Sequence, residues 1–262
     1  MRSLNPAELS GENVLLVAPH PDDEALGCGG TVRLLTAAGA RVAVVVMARG
    51  DGGVDGGASK VSISKRQAES LRACELLGTE RPLFMELESQ DIRNAPAEAA
   101  AQLALTLKGQ KFSALLVPSP LERHATHRAC LVAALLADIA AEQARWYGYG
   151  VWDALPAVRD VVEIDITETR AAKTKAVTAH ESQNGPRPLA AGMMSRDLAQ
   201  AVYSRITGEE MRKAVERLME LDGLKLQMSD AVSAGDAQAV EDAIAAWLSD
   251  RFRLWIEALW TR

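Results

Sequence analysis

The chain has 262 residues, 48% of them hydrophobic and 24% charged, with a formal net charge of −6. Such a composition belongs to a globular protein able to bury a full core, and 19 glycines with 10 prolines exclude a collagenous or low-complexity chain. The acidic balance, without any run of Lys or Arg, disfavours a nucleic-acid partner.

No apolar stretch reaches the ~18 residues of a membrane span, and the opening MRSLNPAELS has no apolar signal core, so a cytoplasmic protein is expected. Three widely spaced cysteines, Cys28, Cys74 and Cys130, fit buried free thiols.

In chain order, Val14–Ala18 is a continuous apolar run that predicts a buried strand. Glu24–Ala38 has a helical pattern ended by Gly39, and Arg41–Ala48 is a valine-rich strand. Ser62–Leu77 predicts a helix with a capping box from Ser64 and Gln67 and a stop at Gly78. Leu83–Leu87 is a short strand, Pro96 opens a helix to about Leu107, and Ser113–Val117 is another apolar strand. His127–Ala141 predicts a helix, and Trp146–Trp152 and Val161–Ile166 two further strands. Thr167 is placed to cap a helix reaching Ala179, and 181–200 is polar and Pro/Gly-rich, as a loop would be. Strands of nearly continuous apolar residues alternating with helices predict an α/β fold. The expected architecture is a Rossmann-like three-layer sandwich with a mostly parallel central sheet.

From about Gly208 the sequence is helical, and Val240, Ile244, Trp247, Leu248, Trp255 and Leu259 fall near one helix face. The expected division is a main domain over 1–207 and a helical extension over 208–262. That extension would pack on the core or form a contact in a homo-oligomer. Glu241, Asp242, Asp250 and Glu257 argue against a membrane-surface helix.

The chemistry lies in two segments. In VLLVAPHPDDEALGCGG the strand ends at Ala18, and His20, Asp22, Asp23 and Glu24 follow directly. Ligands of open parallel sheets bind beyond the carboxyl ends of strands. In ALLVPSPLERHATHRAC a strand again ends, at Val117, and His124 and His127 follow at a spacing that shares one face of a helical turn. Only four histidines occur in the chain, and three of them lie in these loops. His20, Asp23 and one of the later histidines would supply the ligands of a hydrolytic zinc site, although two imidazoles and a carboxylate suit Fe²⁺ equally. The competing account is an acidic helix start that complements the helix dipole and a chance histidine pair.

GCGG at Gly27–Gly30 lacks dinucleotide-loop spacing and falls inside the helix, so it reads as small residues allowing close helix packing, with Cys28 a packing residue. There is no G-x-S-x-G elbow and no P-loop. ARGDGG after the second strand suits a loop rimming a site, with Arg49 either a substrate contact or a surface arginine. Aromatic residues are few, with five Trp, three Tyr and three Phe.

The order APHPDDE, ARGDGG, KRQAESLRACELLG, PSPLERHATHRA and AHESQ resembles the PIG-L/LmbE-like N-deacetylases over about residues 12–185. The resemblance implies zinc-assisted removal of acetate from an N-acetylglucosaminyl group. It implies His20, Asp23 and His127 as metal ligands and Asp22 as general base. It further implies that His124 stabilises the oxyanion or protonates the leaving amine, and that Arg49 and Arg66 are substrate-contacting or structural arginines. His180 matches a frequent AH-x-SQ segment of varied role. The family often has HPDH where this chain has HATH, so an orienting aspartate is missing here. Hydrolysis of a different N-acyl amide, or metal binding without catalysis, are the alternatives the residues leave open.

Overall fold

A computed structural model describes residues 2–3, 5–50, 60–119, 122, 124–151, 161–183 and 200–206. The expected C-terminal helices, the boundary at 207/208 and Trp152 lie outside the described residues. The strands are β1 (Arg2–Ser3), β2 (Asn13–Ala18), β3 (Arg41–Ala48), β4 (Leu83–Leu87), β5 (Phe112–Pro118), β6 (Ala140–Tyr149), β7 (Val161–Asp165) and β8 (Gln200–Ile206). The helices are α1 (Asp23–Ala37), α2 (Lys60–Leu77), α3 (Ser89–Asn94), α4 (Pro96–Leu107), α5 (Ala125–Leu136) and α6 (Arg170–Thr178). The sheet order is β1-β7-β8-β6-β5-β2-β3-β4. Strands β6, β5, β2, β3 and β4 pair in parallel, and β8 runs antiparallel between β6 and β7.

The apolar strands are buried on both faces. Val14, Leu16 and Ala18 of β2 join a core with Val32 and Leu35 of α1, Cys74 and Leu77 of α2, and Ala176 and Val177 of α6. Leu15 and Val17 face the opposite way, toward Ile92 of α3, Leu103 and Leu107 of α4, and Leu131 and Ala134 of α5. Each fully buried Leu or Val contributes about 1.5–3 kcal/mol relative to exposure, so unalternated strands are stable only between two helical layers. The fold is the expected three-layer α/β sandwich. The three cysteines are buried and not joined in disulfides. No helix among the described residues is long and apolar enough to cross a membrane.

Several expectations shift. The helix expected over His127–Ala141 is displaced to Ala125–Leu136, because Asp138 takes a left-handed φ of 48° and Ile139 then accepts from the Phe112 N–H as β6 begins. Strand β6 therefore covers Ala140–Tyr149 rather than starting at Trp146. Helix α2 starts at Lys60, so Ser64 and Gln67 lie within it and form no capping box; the Gln67 amide donates to Glu86 Oε1 at 2.9 Å. Thr167 is not a cap: it opens a 3₁₀ turn ahead of α6, and Asp165 Oδ1 accepts from its N–H at 2.9 Å and from its hydroxyl at 2.6 Å. Helix α3 was unforeseen, since SQDIRN offers one buried apolar residue, Ile92. Strand β8 begins at Gln200, inside the expected loop, and its place depends on partners more than thirty residues away in the chain.

The glycines of GCGG do permit close packing. A Cβ on Gly27 would lie 2.5 Å from the Tyr149 ring, and one on Gly30 would lie 2.6 Å from Ile166 Cδ1. The Tyr149 ring cannot retreat easily, because its hydroxyl donates to the Val17 carbonyl at 2.7 Å. At Gly29 the nearest atom is the Cγ of Lys173, at 3.3 Å on a flexible side chain. Gly27→Ala should therefore destabilise the fold by about 1–3 kcal/mol. Gly29→Ala should cost much less, since alanine favours the helix. Urea denaturation of the two variants checks the contrast.

Candidate metal centre

The chain runs β2, β3, β4 outward on one side of β2, then returns to place β5 on the other side. Strands β2 and β5 are direct neighbours, with Leu16 paired to Leu116. The loops that leave their carboxyl ends diverge here, which opens a crevice at the point where the strand order reverses. His20 and Asp22 follow β2 and Asp23 opens α1, while Glu122 and His124 follow β5 and His127 lies in the first turn of α5.

His20, Asp23 and His127 converge, with one ligand atom from each lying within 4.8 Å of the others. Asp23 Oδ2 accepts from the His20 N–H at 2.9 Å, which locks the loop, and lies 3.2 Å from both His20 Nδ1 and His127 Nε2. Donors around a tetrahedral zinc ion with bonds of ~2.0 Å would sit roughly 3.3 Å apart, so these spacings suit a shared ion. Both nitrogens of His127 are buried, yet neither forms a hydrogen bond of good geometry, although each has a carboxylate oxygen at 3.2 Å. Two imidazoles and a carboxylate so disposed fit a divalent metal. His20 Nε2 lies 3.4 Å from the Ser89 hydroxyl at the start of α3.

Burial works against the charge on Asp23, yet His127 and His20 hold its carboxyl well below the usual range. Burial also opposes a charged His127, but Asp23 and Glu122 outweigh it and raise it to about 9. A bound divalent cation inverts this balance, because imidazole ligates only in its neutral form. His124 stands at the N-cap of α5 with its ring 4.7 Å from that of His127 and 5.1 Å from that of His20. Burial, then His127 and His20, lower His124 to about 4.

Asp22 precedes α1 with φ 133°, a conformation L-residues rarely adopt. Its carboxylate is 3.1 Å from Arg66 Nη2, and Arg66 also donates to the carbonyls of Pro21 and Gly50 at 2.8 Å each. Burial, with Asp23 close by, raises Asp22 to about 7 against the opposing pull of Arg66 and His180. Arg66 is 5% exposed. Of the two readings open to it, the structural one matches its position: it ties the His20–Asp23 loop to α2 and to the end of β3. Arg49 lies at the rim, partly exposed, 3.0 Å from Glu88.

Other residues emerge only from the structure. Glu122 is buried, its Oε2 lies 3.2 Å from His127 Nδ1, and its Oε1 accepts from the Val151 N–H. A carboxylate behind a ligating histidine fixes its ring orientation and tautomer. Thr126, at the third position of HATH, is buried and accepts from Arg93 at 3.3 Å. Glu24, expected either to complement the helix dipole or to hold a supporting bond behind the site, is wholly buried and bonded to His180. The acidic letters were legible in the sequence, but their burial was not.

Residues 15–137 match the family model described as GlcNAc-PI de-N-acetylase (PIG-L). The chain is 29% identical over 122 residues to a diacetylchitobiose deacetylase of Thermococcus kodakarensis, covering 45% of each protein. It is 36% identical over 86 residues to the uncharacterized deacetylase YaiS of Escherichia coli, covering 31% of this chain and 43% of the relative. The chain thus spans less than half the length of either relative. Among solved structures, the conserved protein TT1542 of Thermus thermophilus matches with TM-score 0.60 and 23% identity, over 74% of this chain and 94% of that one. The N,N'-diacetylchitobiose deacetylase of Pyrococcus horikoshii matches with TM-score 0.55 and 19% identity, over 75% and 84%. The fold and the converging loops define an α/β protein built around a candidate metal crevice. Over residues 15–137 the chain is similar to the PIG-L family.

Arg66 and Asp22 form a buried pair, and removal of one partner strands the other charge. Arg66→Met should lower the unfolding free energy by about 3 kcal/mol, read from the denaturant midpoint at unchanged slope.

Proposed function

We propose that the chain is a zinc-dependent N-deacetylase that releases acetate and a free amine from a small N-acetylglucosamine-type glycoconjugate. The observation that carries this reading is the convergence of His20, Asp23 and His127 at the crevice between β2 and β5, with Asp22 beside them. Relatives described as diacetylchitobiose deacetylases support the substrate class.

When bound, the ion polarises the acetyl carbonyl and lowers the pKa of a water molecule. In this reading His20, Asp23 and His127 hold the ion, and Glu122 orients His127 toward it. Asp22, which stays outside the ligand set, accepts the proton of the water that attacks the acyl carbon. His124 faces the negative charge that develops on the carbonyl oxygen and supplies a hydrogen bond to it. The C–N bond breaks as the amine nitrogen takes the proton that Asp22 accepted from the water. Arg49, at the rim, contacts the sugar or its aglycone, and Arg66 holds Asp22 in place rather than touching substrate.

Acetate release from a panel of N-acetylated amino sugars, with and without Zn²⁺ after chelation, tests the reading. Turnover should vanish with the chelator and return with the ion. Asp22→Asn should lower kcat by roughly 10²–10⁴-fold while the protein still binds one ion per chain. A zinc-loaded protein that releases no acetate from any member of the panel, or an Asp22→Asn variant near wild-type turnover, would contradict the proposal.

A further inference from the structure

We infer that Glu24 and His180, from segments 156 residues apart, form a buried brace whose task is to hold the backbone of Asp22 in its strained conformation. The inference rests on the role of Asp22 proposed above, and it makes Glu24 and His180 positioning residues.

Glu24 is 0% and His180 2% exposed. The Glu24 carboxylate is fully engaged. Its Oε2 accepts from the Asp22 N–H at 2.9 Å, and its Oε1 accepts from the Ser70 hydroxyl at 2.8 Å and from His180 Nε2 at 3.0 Å. Three elements thus meet on one side chain: the start of α1, the middle of α2, and the segment that follows α6. Nearby, Glu69 takes the Ser182 N–H at 2.8 Å and the Ser182 hydroxyl at 2.5 Å, which fastens that segment to α2 just past His180.

Such an arrangement is costly if its only purpose is packing, because buried ionisable groups are often replaced by apolar ones without loss of stability. What the carboxylate reaches that an apolar side chain cannot is the Asp22 N–H. Asp22 has φ 133°, and a non-glycine residue persists in that region only where its surroundings over-determine it. Two sets of bonds do so here. Arg66 grips the Asp22 carboxylate and the Pro21 carbonyl, and Glu24 grips the Asp22 amide. His180 in turn donates to Glu24 and fixes which way its carboxylate faces. The PHPDDE and AHESQ segments are, on this view, two halves of one device.

His180→Leu removes the donor and keeps the apolar bulk. His180→Gln keeps an N–H where the imidazole Nε2 donates. Both variants are compared with wild type by thermal denaturation, metal content, steady-state kinetics on an N-acetyl amino sugar, and NMR hydrogen exchange at the Asp22 amide. His180→Leu should keep one ion per chain and a KM within about threefold, lose at least tenfold in kcat, and exchange the Asp22 amide at least tenfold faster. His180→Gln should recover both kcat and protection. If His180→Leu folds with unchanged Asp22 exchange, or if His180→Gln recovers neither quantity, the brace is refuted. If wild-type protein proves inactive on every acylated amine, the deacetylase reading fails, and the exchange comparison still decides whether His180 and Glu24 hold Asp22.

Discussion

The parallel pairing of β2 with β5 is the constraint on which the rest depends. These strands are almost a hundred residues apart in the chain, yet Leu15 lies opposite Leu115 and Leu16 opposite Leu116. Because β3 and β4 extend the sheet on the far side of β2, the connections above β2 and β5 turn away from each other and leave a crevice. His20 and Asp23 come from one wall, and His127 from the other. Had β5 added beyond β4, the same residues would lie on opposite edges of the sheet.

The electrostatics around this crevice have a consistent direction. Asp22, Asp23, Glu24 and Glu122 are all buried, and among the described residues Arg66 is the only buried arginine. Isolated carboxylates cannot be buried cheaply. Each is therefore assigned partners: Asp22 has Arg66, Glu24 has His180 and Ser70, Glu122 has His127 and the Val151 amide, and Asp23 has the two histidines. The histidines balance the acids only when protonated. A divalent cation held by His20, Asp23 and His127, as proposed, would supply the missing positive charge and would let both imidazoles be neutral. The arrangement is thus complementary to a cation rather than to an anion.

The sequence disclosed the elements that obey a simple period or a strong terminator. Valine-rich β3, β4 and the Pro96-led α4 fall where the pattern placed them. It misplaced α5 and β6 because the alanine- and leucine-rich run through Ala141 has no breaker letter; the stop is a left-handed Asp138, which is a backbone event. It missed α3 and β8 because their positions come from tertiary neighbours. The candidate ligands were legible because histidine is rare in this chain and sits after apolar strands. Glu122, Arg93 and the partnership of Glu24 with His180 were not, since burial and long-range pairing leave no mark in local sequence. Arg66 shows the limit of residue type: the same letter suits a substrate contact and an interior tie, and only its bonds to Pro21, Gly50 and Asp22 distinguish them.

X-ray absorption at the zinc edge of the loaded protein addresses the central claim most directly. The account predicts one ion per chain whose nearest scatterers are nitrogen and oxygen at about 2.0–2.1 Å, with outer-shell features of two imidazoles that fall to one in His127→Ala. A sulfur scatterer near 2.3 Å, or an imidazole count that does not change in that variant, would contradict it.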